Sequence, residues 1–145
     1  MNSRMNKSLI VAAALFAATS AQAAGNIVIK DGWFRALPGN TPAGGYFTLM
    51  NQTNKPVTLT GVSSPVCGEA MMHESKNDGG MKGMVMASRL TVPAGGTLSF
   101  APGGYHIMCM MPIDLMVGGK ADVTFSFAGG KKQTASFVIK NAMGQ

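Results

Sequence analysis

Only two histidines, His73 and His106, occur in this 145-residue chain, and both stand among methionines, in MMHESKNDGGMKGMVM and GGYHIMCMM. Nine of the thirteen methionines lie between Met71 and Met116. A thioether is a soft donor that favours Cu(I), and imidazole is a good borderline partner. Neither needs to shed a thiol proton to bind. His73, Met84, His106 and Met108 therefore form a candidate Cu(I) site of a kind suited to places where thiols are oxidised away. Taken singly, each residue has a plainer explanation. Methionine rows fill irregular cores well, and a lone histidine is commonly a hydrogen-bonded bystander. The joint occurrence is what favours metal.

To meet around one ion, these side chains need elements that bring them together. Short stretches rich in Val, Ile, Phe, Thr and Tyr alternate with Gly, Pro, Asn and Asp, which predicts an all-β chain. The expected strands are Ile27 to Arg35, Gly45 to Met50, Pro56 to Ser63, Glu69 to Ser75, Met81 to Met86, Gly96 to Phe100, Tyr105 to Met110, Ala121 to Phe127 and Gln133 to Ile139. The breaks LPGNTPAGG, NQTNK, KNDGG, VPAGG, APGG and AGGKK have the residues that turns require. Regular short strands of this kind point to a single-domain β-sandwich or barrel. Residues two apart on a strand share a face. His106 with Met108 and Met110, Met84 with Met86, and Met71 with His73 are such sets. Met81, Met86 and Met110 could extend or shield the site, or pack in the core.

Residues 1–23 read as a secretory signal peptide. Arg4 and Lys7 precede an apolar run from Leu9 to Ala18, and Ala21-Gln22-Ala23 supplies a cleavage signature. That run is too short for a membrane span of roughly 20 residues. No cysteine stands directly after the cleavage region, so no lipid anchor is expected, and with no long apolar segment no stable membrane insertion is expected either. The domain at 24–145 is expected to be exported to an oxidising compartment, read as the Gram-negative periplasm. Its length suits one modest core. Without Arg4 and Lys7 the formal charge falls from +6 to +4. The remaining basic residues are dispersed, with no basic–aromatic stripe, which argues against nucleic-acid binding.

The spacing His73, ten residues, Met84, twenty-one residues, His106, one residue, Met108 resembles the motif of periplasmic copper(I) chaperones of the PCu(A)C type. GGYFTLMN at 44–51, MHES at 72–75, the VPAGG turn and PGGYHIM at 102–108 are also similar to that family. The resemblance spans nearly all of the exported domain. It implies a cupredoxin-like β-sandwich and the four ligands His73, Met84, His106 and Met108. It also implies a role carrying Cu(I) toward copper-accepting periplasmic or membrane-anchored proteins, such as an oxidase copper subunit or its assembly factor. Some relatives carry a C-terminal tail rich in Met and His; this chain ends FVIKNAMGQ, so no such second site is expected. A monomer is expected, with metal-bridged dimerisation left open.

Cys67 and Cys109 leave three arrangements open: a disulfide, two thiols, or a copper role for Cys109. Two thiols is the preferred reading. Alternation turns Cys109 away from His106 and Met108, so neither cysteine is counted as a ligand. Three other functions compete with copper carriage. An electron-transfer cupredoxin needs a cysteine thiolate with two histidines, a poor match to the predicted face of Cys109. An enzyme is not expected, since no catalytic triad, carboxylate pair or phosphate loop is evident. A metal-free periplasmic interaction module is the remaining alternative.

Overall fold

A computed structural model describes residues 25–78 and 81–145. The expected signal peptide lies outside the described residues. Among those described there are ten strands and no helix: β1 Ile27–Arg35, β2 Ala43–Asn51, β3 Val57–Ser63, β4 Cys67–Asp78, β5 Met81–Met86, β6 Leu90–Val92, β7 Thr97–Phe100, β8 Tyr105–Pro112, β9 Lys120–Phe127 and β10 Lys132–Lys140. The all-β expectation holds, and the architecture is a cupredoxin-like β-sandwich. β1 and β5 have the expected bounds, and β4 runs longer than predicted. β6 was not anticipated, since three residues, Leu90-Thr91-Val92, are too few to display a period.

The strands form one sheet in the order β5-β4-β8-β7-β2-β1-β10-β9-β3-β6, and β2 also pairs directly with β8. Most neighbours are antiparallel, whereas β1–β10 and β7–β8 are parallel. The sheet folds over on itself, as the aromatic core shows. β2 and β9 are separated by β1 and β10, which in a flat sheet is about 14 Å at the usual strand spacing. Yet the rings of Phe47 on β2 and Phe125 on β9 lie 4.8 Å apart. Phe34, Phe47, Phe125 and Phe137 are buried together. Each contributes about 1.5–3 kcal/mol by leaving water.

Phase along β1 decides what faces outward. Ile27 and Phe34 both point inward although they are an odd number of residues apart. The phase changes at a bulge between Lys30 and Trp33, where Asp31 adopts φ 55°. Gly32 belongs to this bulge: a Cβ there would sit 2.3 Å from the Phe137 ring. Beyond the bulge, Trp33 and Arg35 face away from the core.

Asn51 is buried and fully used. Its Nδ2 donates to the carbonyls of Lys55, Val92 and Pro93, at 2.7, 3.0 and 3.1 Å. Its Oδ1 accepts from the Thr53 amide at 3.1 Å and the Thr53 hydroxyl at 2.6 Å. One side chain thus ties the NQTNK turn to the VPAGG turn.

The preferred expectation of two thiols is corrected. Cys67 and Cys109 form a disulfide, with their Cα atoms 5.1 Å apart. No free cysteine remains among the described residues. Cys109 does point inward as alternation predicts, and it is fully buried. Sequence alone left the disulfide as one of three open arrangements, because the pairing of β4 with β8 that brings the two cysteines together joins residues 42 apart. The bond staples the strand pair that carries both histidines.

Candidate metal centre

β5, β4 and β8 are consecutive in the sheet, so the three predicted sets lie side by side on one face. The strands do not merely converge at their ends; backbone register fixes each neighbour. His73 and His106 are directly opposite on β4 and β8. Their ring centroids are 5.7 Å apart and the rings are nearly perpendicular, at 83°. Met108 follows His106 on the same face and stands opposite Met71. On the other side of β4, Met86 is opposite His73, and Met84 is opposite Ser75. Met84 is thus a diagonal step from His73 across β4–β5, as Met108 is across β4–β8. Directly opposed Cβ atoms are about 4.5–5.5 Å apart and diagonal ones about 7–8 Å, within reach of a long thioether. Met81 pairs with Asp78 at the far end of β5, and its side chain lies outside the described residues.

The same alternation sends Met72, Ile107 and Cys109 into the core. The core thus anchors the strands while the donor face stays free of packing duties. His106 is nonetheless buried, whereas Met84 and Met86 are 59% and 64% exposed. Burial therefore falls from β8 toward the edge strand β5.

The histidine nitrogens are poised differently. Nδ1 of His106 lies 3.2 Å from the Gly104 carbonyl oxygen. That oxygen can only accept, so Nδ1 carries the proton and Nε2 presents a lone pair, the arrangement common for metal-ligating histidines. The same carbonyl accepts from the Ser75 amide at 3.1 Å. It belongs to the APGG turn, where Gly103 takes φ 87°. This carbonyl is a functional group the sequence reading missed; PGGYH was its available signal. Nδ1 of His73 is buried with no hydrogen-bond partner. Burial first, and the neighbouring His106 second, hold the His73 imidazole below its ordinary 6.5. Its neutral, ligand-competent form therefore dominates at pH 7.

Across β2 the same face continues. Gly44 lies in register with Met108 on one side and Arg35 on the other. The Tyr46 hydroxyl covers Gly44, 2.6 Å from where a Cβ would be. The Tyr46 and Trp33 rings pack at a 42° tilt with centroids 4.7 Å apart, and the Arg35 guanidinium lies 5.4 and 5.5 Å from the Trp33 and Tyr46 rings. These residues wall the β2 side of the donor face. The sequence reading did not single them out.

Among the described residues, no cluster of three or more His, Cys, Asp or Glu could hold a metal. What the face offers is two imidazoles and several thioethers, a donor set suited to Cu(I) and poorly suited to hard divalent ions.

Comparison with known proteins agrees with this architecture. "Putative lipoprotein Lxx21020" of Leifsonia xyli subsp. xyli is 28% identical over 130 residues, 88% of this chain and 78% of that protein. "Uncharacterized protein RP573" of Rickettsia prowazekii is 33% identical over 98 residues, 66% of this chain but 54% of that protein. Among solved structures, the solution structure of CuI-DR1885 from Deinococcus radiodurans superposes with a TM-score of 0.67 at 29% identity. The match covers 86% of this chain and 85% of that one. The copper-bound PCuAC domain from PmoF2 has the same fold, with a TM-score of 0.66 at 24% identity over 83% of this chain and 97% of that one. Residues 27–139 match the family described as "Putative lipoprotein LpqE-like". The chain belongs to the LpqE-like family.

Proposed function

We propose that this protein is a Cu(I) carrier of the extracytoplasmic space, binding one ion through His73, His106, Met108 and Met84. The observation that supports this most is the unpartnered, buried Nδ1 of His73 directly across the sheet from His106. A buried polar nitrogen without a partner costs about 1–3 kcal/mol, which a bound ion would recover. The structures it resembles include the copper-bound PCuAC domain from PmoF2 and CuI-DR1885. The lipoprotein description of its relatives supports export, and the expected signal peptide and periplasmic location accord with that.

A four-donor neutral set leaves the ion's positive charge uncompensated. An acceptor presenting thiolates can then remove it by stepwise ligand exchange, without electron or proton transfer. We assign the receiving partner to the copper-accepting proteins of respiratory oxidase assembly, and the role to carriage, not catalysis. The electron-transfer alternative is disfavoured by a specific feature. Blue-copper centres need a cysteine thiolate, and both cysteines are spent in the disulfide. Anaerobic titration of Cu(I) against a chromophoric competitor tests the proposal. One tight equivalent is expected, lost in His106→Ala; failure of the wild type to compete overturns it.

A further inference from the structure

Unassigned thioethers adjoin the candidate ligands unevenly across the sheet: Met71 stands opposite Met108, and Met86 opposite His73. Met86 stands directly opposite His73, nearer by register than Met84. It is 64% exposed, on a strand that ends the sheet. An edge strand offers open backbone and an unobstructed approach to a second protein. Beside Met84, an open hollow of about 470 Å³, lined by Ser75, Lys76, Asn77, Gly83, Met84 and Gly103, provides room for an incoming side chain. By contrast, His106 is buried and lies two strands further in, on β8.

The geometry points to Met86 as an exit ligand, the donor that receives Cu(I) from the buried side of the site and presents it at the β5 edge to the acceptor. This inference rests on the carrier reading above. The ion remains on His73 and Met84 while a Cu–S bond to Met86 forms and the bonds to Met108 and His106 break. It stays Cu(I) throughout, no proton moves, and the ion shifts by about one strand spacing, roughly 4.8 Å. The exposed Met84–Met86 pair then leaves part of its coordination sphere open to partner ligands, which the half-enclosed His106–Met108 side does not. A purely structural role for Met86 fits poorly with its exposure, because an exposed methionine on an edge strand contributes little to a core.

The test compares wild-type protein with Met86→Leu, and with Met116→Leu as a control for loss of an exposed thioether elsewhere (Met116 is 70% exposed). Two quantities are measured anaerobically: equilibrium Cu(I) affinity by competition, and the rate of Cu(I) transfer to a dithiol peptide by stopped flow. Met86→Leu is expected to slow transfer at least tenfold while lowering affinity by a smaller factor, and Met116→Leu to match wild type. An unchanged transfer rate in Met86→Leu overturns the inference. Equal losses of rate and affinity also overturn it, by making Met86 a resident ligand. Should the wild type itself bind no Cu(I), the carrier reading fails first, and that result is distinguishable from either of these.

Discussion

Replacing Cys67 and Cys109 together by alanine removes a cross-link that joins residues 42 apart in sequence. In the chain-entropy argument, a closed loop of that length restricts the unfolded chain by about 13 cal/mol/K, or about 4 kcal/mol at 25 °C. The substitution adds little else, because alanine leaves no unpaired polar atom and only a small void where Cys109 is fully buried and Cys67 nearly so. The stability of the domain should therefore fall by up to about 4 kcal/mol, a large share of the 5–15 kcal/mol typical of a small domain. Urea unfolding followed by far-UV circular dichroism measures this. With a slope of about 1–3 kcal/mol/M, the midpoint should drop by between roughly 1.3 and 4 M. Wild-type protein reduced with dithiothreitol serves as the isosteric control and should shift in the same direction. Since the bond staples β4 to β8, the strands that carry both histidines, the double variant should also bind Cu(I) more weakly under mildly denaturing conditions. A midpoint shift below about 0.3 M in both reduced and substituted protein would refute the assignment of the disulfide as a major stabiliser.

Other expectations follow from the same geometry. Asn51→Ala strips partners from three carbonyls and from Thr53, and should cost about 2–3 kcal/mol in urea unfolding; a loss under 0.5 kcal/mol would contradict the network's role. Met108→Ala, at a half-buried position outside the core, should lower Cu(I) affinity at least tenfold, about 1.4 kcal/mol, with little loss of folding stability; unchanged affinity in competition titration would remove it from the site. For pH, His73 titrates lower in the folded protein than its ordinary 6.5. The unfolded chain then binds the proton first, so stability from this group is complete above about 6.5 and declines as pH falls toward the lowered value. Apo protein should show that decline as pH falls below about 6.5, and His73→Gln should abolish this part of it. Cu(I) affinity should weaken over the same acidic range, and flat affinity from pH 7 to 5 would argue against histidine ligation.

Much of this arrangement was legible because strand periodicity is a local signal. Alternation placed His106 with Met108, Met84 with Met86 and Met71 with His73 on common faces, and turned Cys109 inward. What stayed hidden was non-local. Nothing in the sequence states that β4 lies between β5 and β8, so neither the opposition of Met86 to His73 nor the Cys67–Cys109 bond could be derived from it. The bulge at Asp31 reverses the phase of β1 midway, and unbroken alternation from Ile27 would have buried Trp33 and Arg35. The hold of the Gly104 carbonyl on His106 depends on a turn whose shape only the folded chain reveals.

X-ray absorption at the copper edge, on protein loaded anaerobically with one equivalent of Cu(I), tests the proposed site most directly. A first shell mixing imidazole nitrogen with thioether sulfur is expected, losing nitrogen scattering in His73→Ala and sulfur scattering in Met108→Ala. A shell without sulfur, or one unchanged in both variants, would contradict binding on the His73–His106 face.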